Sequence, residues 1–162
     1  MPKISPFLWF DHQAEEAANF YVSLLPDSKI DAVRKNIIDG PGGKADTVLF
    51  VEFTLAGQRY LAINGGMRME YSHAVSFMVN CVDQAEVDRL WDALLANGGK
   101  AERCGWLRDR FNVPWQVVPT QAHEYLGGPD QEGAKRAVKA MYGMVKLDIE
   151  GLRRAYEGKS AA

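Results

Sequence analysis

A chain of 162 residues, 47% apolar and 25% charged, has enough apolar mass for a buried core, and its net charge of -2 excludes a disordered or phosphate-backbone-binding class. No stretch approaches the roughly 20 apolar residues of a membrane span, so neither nucleic acid nor membrane is an expected partner. Cys81 and Cys104 form neither a disulfide framework nor a zinc motif, and Met1-Pro2-Lys3-Ile4 carries no apolar leader; free thiols and a cytoplasmic location are expected.

Ile4 to Phe10 reads as an apolar strand running into Asp11, which is placed to cap a helix with Glu15 and Glu16 near its positive end. Ala14, Ala17, Ala18, Tyr21, Leu24 and Leu25 recur at helical spacing until Pro26 stops them. Lys29 to Lys35 is a second strand, and Asp39-Gly40-Pro41-Gly42-Gly43 is a loop. Thr47 to Leu55 alternates, with Leu49, Val51, Phe53 and Leu55 on one side and Val48, Phe50, Glu52 and Thr54 on the other. A turn at Ala56-Gly57 leads into a strand from Arg59 to Ile63, ending at Asn64-Gly65-Gly66.

The same order then restarts. Ala74 to Val82 reads as a strand, Asp83 and Glu86 have capping-box spacing, and Val87, Leu90, Trp91, Leu94 and Leu95 form a helical stripe closed by Gly98-Gly99. Short strands follow near Lys100 to Arg103, Trp106 to Arg110 and Trp115 to Val118. Beyond Pro119 the pattern is helical: Ala134, Ala137, Val138 and Met141 share a face, and Asp148 caps a last helix carrying Leu152 and Tyr156. The expected class is α+β: two βαβββ modules, about 1–70 and 71–119, form mixed curved sheets around a cavity. Residues 120–162 are a C-terminal helical extension of the same domain, covering a sheet or a subunit contact.

Three segments carry a resemblance: Phe10-Asp11-His12-Gln13-Ala14-Glu15-Glu16-Ala17 leading to Phe20-Tyr21, then Ile63-Asn64-Gly65-Gly66, then Cys104-Gly105-Trp106-Leu107-Arg108-Asp109 leading to Trp115-Gln116-Val117-Val118-Pro119. They resemble the PhnB-like branch of the vicinal oxygen chelate superfamily, whose relatives include glyoxalases, bleomycin-resistance proteins and extradiol dioxygenases. Many members of the branch carry the label demethylubiquinone methyltransferase. No glycine-rich strand-to-helix turn with a downstream acidic residue supports that activity here. The resemblance implies paired modules that often build their cavities at a subunit contact, hence an expected homodimer.

Metal-using relatives take ligands from the first and fourth strands of each module. The matching places hold Pro6, Ala62 or Asn64, Ala74 or Ser76, and Gln116, a poor donor set for a first-row divalent ion, so neither metal nor cofactor is expected. His73 lies near the fifth-strand place and is read either as a displaced ligand or as a partly exposed histidine at a strand start. Strand parity turns Ser76, Met78, Asn80, Gln116 and Glu52 toward the cavity. Phe50, Met78 and Trp106 then supply apolar contacts, with Asn64, Ser76 and Gln116 as polar ligand-binding candidates and Asp109 and Glu52 as candidate acids or bases. For Asp109 a surface carboxylate paired with Arg108 or Arg110 in an exposed turn is equally open. The reading that follows is a protein that binds a small, mostly apolar organic ligand; the alternative is a metal-independent or atypical-metal lyase or isomerase.

Overall fold

The computed structural model describes residues 3–159; Met1-Pro2, where the leader was sought, and the last three residues of the C-terminal extension lie outside that range. The chain forms two compact units, Met1–Glu70 and Tyr71–Ala162.

In the first unit, β1 (Phe7–Phe10), α1 (Ala14–Leu24), β2 (Lys29–Lys35), β3 (Val48–Leu55) and β4 (Gln58–Asn64) follow in order, and the sheet runs β1-β4-β3-β2. β1 pairs parallel with β4, while β3 pairs antiparallel with both neighbours. The core lies between the sheet and α1. Alternate residues Val51, Phe53 and Leu55 of β3, Leu8 and Phe10 of β1, and Tyr60 and Ala62 of β4 are buried, as are Ala14, Ala17, Ala18, Tyr21 and Leu24 on one stripe of the helix. Each large side chain withdrawn this way contributes roughly 1.5–3 kcal/mol.

The expected cap of α1 is corrected. Gln13 occupies the N-cap without a side-chain bond, and Asp11 contacts His12 instead. The free amide of Ala14 is met from across the sheet by Asn64, whose Oδ1 accepts it at 2.8 Å while its Nδ2 donates to the Val48 carbonyl at 3.0 Å. The glycines after Asn64 are there for space. A Cβ on Gly65 would run into the Trp9 ring, and one on Gly66, whose φ is +68°, would strike the Pro41 carbonyl.

The second unit repeats the order with β5 (Phe77–Cys81), α2 (Gln84–Leu95), β6 (Lys100–Ala101), β7 (Trp106–Arg108) and β8 (Pro114–Pro119), arranged β5-β8-β7-β6. The fold is therefore α+β, with two four-stranded mixed sheets of the same topology. Here the cap is as expected: Asp83 Oδ1 accepts from the Glu86 amide at 2.8 Å, and the Glu86 carboxylate answers the Val82 amide at 2.8 Å. Val87, Leu90, Trp91 and Leu94 bury the α2 stripe against Leu107, Trp115 and Val117. At the other end Asn97, with φ +60°, turns the chain ahead of Gly98.

Three further helices complete this unit: α3 (Gln121–Leu126), α4 (Gln131–Gly143) and α5 (Ile149–Glu157). Gln121 at the start of α3 donates to the Val82 carbonyl at 2.7 Å, and the segment between α4 and α5 attaches the rest. Met144 and Val145 carbonyls accept the amides of Cys104 and Gly105 at 2.9 and 2.8 Å, Lys146 pairs with Asp88 at 2.7 Å, and Gln84 bonds both the Leu147 carbonyl and the Ile149 amide. Asp148 caps α5 through the Glu150 amide, as its position in the sequence suggests.

Candidate functional site

On the first sheet, the face opposite α1 carries the other half of each alternation: Phe7 and Trp9 of β1, Arg59, Leu61 and Ile63 of β4, Phe50 and Glu52 of β3, and Ala32 and Arg34 of β2. Glu52 is little exposed, 13% for its side chain, and lies between two guanidinium groups. Arg34 Nε is 3.4 Å from Oε1, and Arg59 Nη2 contacts Oε2. Beside this cluster, residues 34–42 with Leu49 and Phe50 enclose an open hollow of about 610 Å³, within the range of small-molecule sites. Its exposed surface is mostly apolar, with the exposed Ile37 and Ile38 on the loop after β2, and Arg34, Lys35, Asn36 and Asp39 also line it. Asn64 lies on the opposite side of the sheet, its amide spent on the α1 start and β3, rather than among these residues.

On the second sheet, the face opposite α2 presents Met78, 49% exposed, with Asn80, Gln116, Trp106 and Arg108. Ser76 lies just before β5, its hydroxyl accepting from Gln116 Nε2 at 2.9 Å. Next to Trp106, His73 donates from Nε2 to Glu102 at 2.5 Å and accepts at Nδ1 from Arg108 at 3.0 Å, a pattern that places the imidazole proton on Nε2. Arg108 also reaches the carbonyls of Tyr71 and Asn112, both at 3.1 Å, and so ties the segment entering β5 to β7.

Asp109 is not an exposed turn carboxylate. It is 3% exposed, and its oxygens accept the amides of Phe111 at 2.8 Å and Val113 at 3.0 Å and the indole Nε1 of Trp115 at 2.9 Å. Three donors organise the β7–β8 turn around it. Cys81 is buried, and desolvation, reinforced by Glu86, pushes its thiol up to about 12. Cys104 sits in a left-handed turn at φ +59° with its Sγ toward the Met141 carbonyl.

Pro6, Ala62, Asn64, Ser76 and Gln116 offer no imidazole, carboxylate or thiolate, and no group of three His, Cys, Asp or Glu converges among the described residues. The donor set does not fit a divalent metal. A methyl-donor nucleotide is no better provided for: Asp11-His12-Gln13 joins β1 to α1 without a glycine, and Asn64 already takes the Ala14 amide where an anionic group would bind. The pairing of Glu52 with Arg34 and Arg59 was missed from sequence. Their shared parity is legible, but the register that makes them diagonal neighbours is not.

The profile of the family described as 3-demethylubiquinone-9 3-methyltransferase matches residues 2–118. The chain belongs to this family. It is the PhnB-like branch of the vicinal oxygen chelate superfamily, and α3 to α5 lie beyond the matched residues. A solved Bacillus cereus PhnB protein bearing the same methyltransferase name is 33% identical over 73% of this chain and 99% of its own, with a TM-score of 0.64. Protein PA1353 of Pseudomonas aeruginosa, 22% identical over 74% and 98% of the two chains, shares the fold at a TM-score of 0.59. So does the fosfomycin resistance protein FosX of Listeria monocytogenes, solved with Mn(II) and sulfate, at 12% identity, coverage of 78% and 97%, and a TM-score of 0.51. No curated protein matches the chain.

Proposed function

We propose that this PhnB-like chain is a cytoplasmic, homodimeric protein that binds a small, mostly apolar organic molecule without a resident metal or methyl-donor cofactor. The observation that carries the reading is the hollow on the first sheet, where Phe50 forms part of an apolar lining beside a half-buried polar cluster. On the second sheet Met78 and Trp106 are the corresponding apolar contacts, and Ser76 with Gln116 supplies a hydrogen-bonding pair. The family's printed methyltransferase activity is not part of the proposal, because the β1–α1 turn has no cradle for the donor. Among the described residues, no helix is long and apolar enough to cross a membrane.

A second reading, a metal-independent lyase or isomerase, is favoured by Glu52, a carboxylate set among Phe50 and Leu61 on the same face. In that reading Glu52 is the base; Asp109, the other acid or base candidate, already accepts from three donors. Extracting small molecules from protein purified directly from cells, followed by mass spectrometry, tests the binding reading. A co-purifying organic compound with a large apolar fraction supports it. A compound found turned over by the wild type and not by Glu52→Gln would establish the enzyme instead.

A further inference from the structure

Resting on the binding reading above, we infer that the ligand of the first sheet is an organic anion: an apolar body held against Phe50, with its acidic group on Arg34 and Arg59. The charge count around Glu52 is uneven; farther along the face Asp31, which accepts from the Thr54 hydroxyl at 2.7 Å, is matched by Lys29 at 3.4 Å. Two guanidinium groups flank one carboxylate, and among the described residues Glu52 is the acid both contact. The hollow beside it adds Lys35 and Asp39, and the Asp39 carboxylate already accepts the Ala45 amide at 2.8 Å. Arg34 belongs to both the cluster and the hollow and pairs in register with Phe50, so the surplus positive charge borders the apolar surface.

The donor count points the same way. A guanidinium carries five N–H donors in a planar fork. Arg34 engages Glu52 through Nε and leaves both terminal nitrogens without a protein partner among the described residues; Arg59 engages it through one terminal nitrogen and leaves the rest. The Arg59 side chain is only 26% exposed, so these open donors stand in a partly desolvated place where a carboxylate or sulfonate gains more than in water. An apolar ligand without an acceptor group would cover them without satisfying them.

Two fluorescent probes with the same ring system separate the terms: 1-anilinonaphthalene-8-sulfonate, an apolar anion, and N-phenyl-1-naphthylamine, its neutral counterpart. Titrated into the full chain at low salt, the anion is expected to bind about tenfold more tightly than the neutral probe. Arg34→Met and Arg59→Met each reduce the anion's affinity and leave the neutral probe's unchanged, whereas Glu52→Gln raises the anion's. Arg59→Lys, which keeps the charge, retains part of the preference, and Arg34, 60% exposed, can be replaced with little risk to folding. Neutral-probe binding without any anion preference, or arginine variants that weaken both probes alike, overturns this inference and leaves the apolar binding reading standing. Binding of neither probe overturns both.

Discussion

Asn64 holds the start of α1 from 50 positions away in the chain, and two of its hydrogen bonds join the helix to two strands. Asn64→Ala leaves the Ala14 amide and the Val48 carbonyl unmet, and is expected to cost about 1–3 kcal/mol in urea unfolding. Asp109 makes a comparable prediction with a sharper control. Asp109→Asn can keep an acceptor for Phe111 and Val113 but sets an amide N–H₂ against the Trp115 indole N–H, so a loss of about 1–3 kcal/mol is expected from thermal melts. An unchanged melting temperature would remove its role in the turn. Cys81, buried with its thiol pushed up to about 12, is expected to stay unmodified by iodoacetamide at pH 8 while the protein is folded, and peptide mass spectrometry reads this directly. Residue-level roles of this kind were only partly legible. The Asp83–Glu86 cap lies within one local stretch and could be read, whereas the α1 cap depends on Asn64, which only the folded register brings to it; the Asp109 partners lie two, four and six residues ahead, but the tight turn that points them at one carboxylate has no sequence signature.

At the scale of elements, strand and helix existence followed from alternation and helical spacing. β2 spans Lys29–Lys35 as expected, while the apolar run from Ala74 to Val82 shortens to Phe77–Cys81, since the amides of Ala74 and Val75 turn back onto Ser72 instead of entering the ladder. Parity was legible too: Gln116 and Met78 lie opposite α2, with Trp115 and Val117 buried against it. The attachment of α4 and α5 was not, since it runs through the segment of residues 144–149 that joins them. Leu147, 2% exposed, lies where a Cβ on Gly105 would come within 3.0 Å of its Cγ, so Leu147→Ala is expected to cost about 2–5 kcal/mol and to raise amide exchange around residues 144–149. Asp88 gives this attachment a pH dependence. Hydrogen bonds from Lys146 and then Gln84 hold its carboxyl below its ordinary value, so the contribution is present above the unfolded carboxylate range and is lost as pH falls through the lowered folded value. Asp88→Asn should flatten the acid limb of thermal stability below about pH 4; an unchanged limb would show that the pair contributes nothing.

For the whole chain, the repeated βαβββ order was visible in the sequence because both copies place an apolar strand ahead of an amphipathic helical stripe and end it near a Leu-Leu pair. The homodimer is read by light scattering: a mass near twice 18.1 kDa is expected at micromolar concentration, and a single-chain mass would count against it. Metal independence and apolar binding form the central claim, and one titration addresses both. N-phenyl-1-naphthylamine is titrated into purified protein with chelator, with Mn(II), and into Phe50→Ala. The expected result is binding of equal strength with chelator and metal, weakened about tenfold in Phe50→Ala, as lost apolar contact of roughly 1–3 kcal/mol requires. Binding that needs the metal, or that is indifferent to Phe50, would contradict the account.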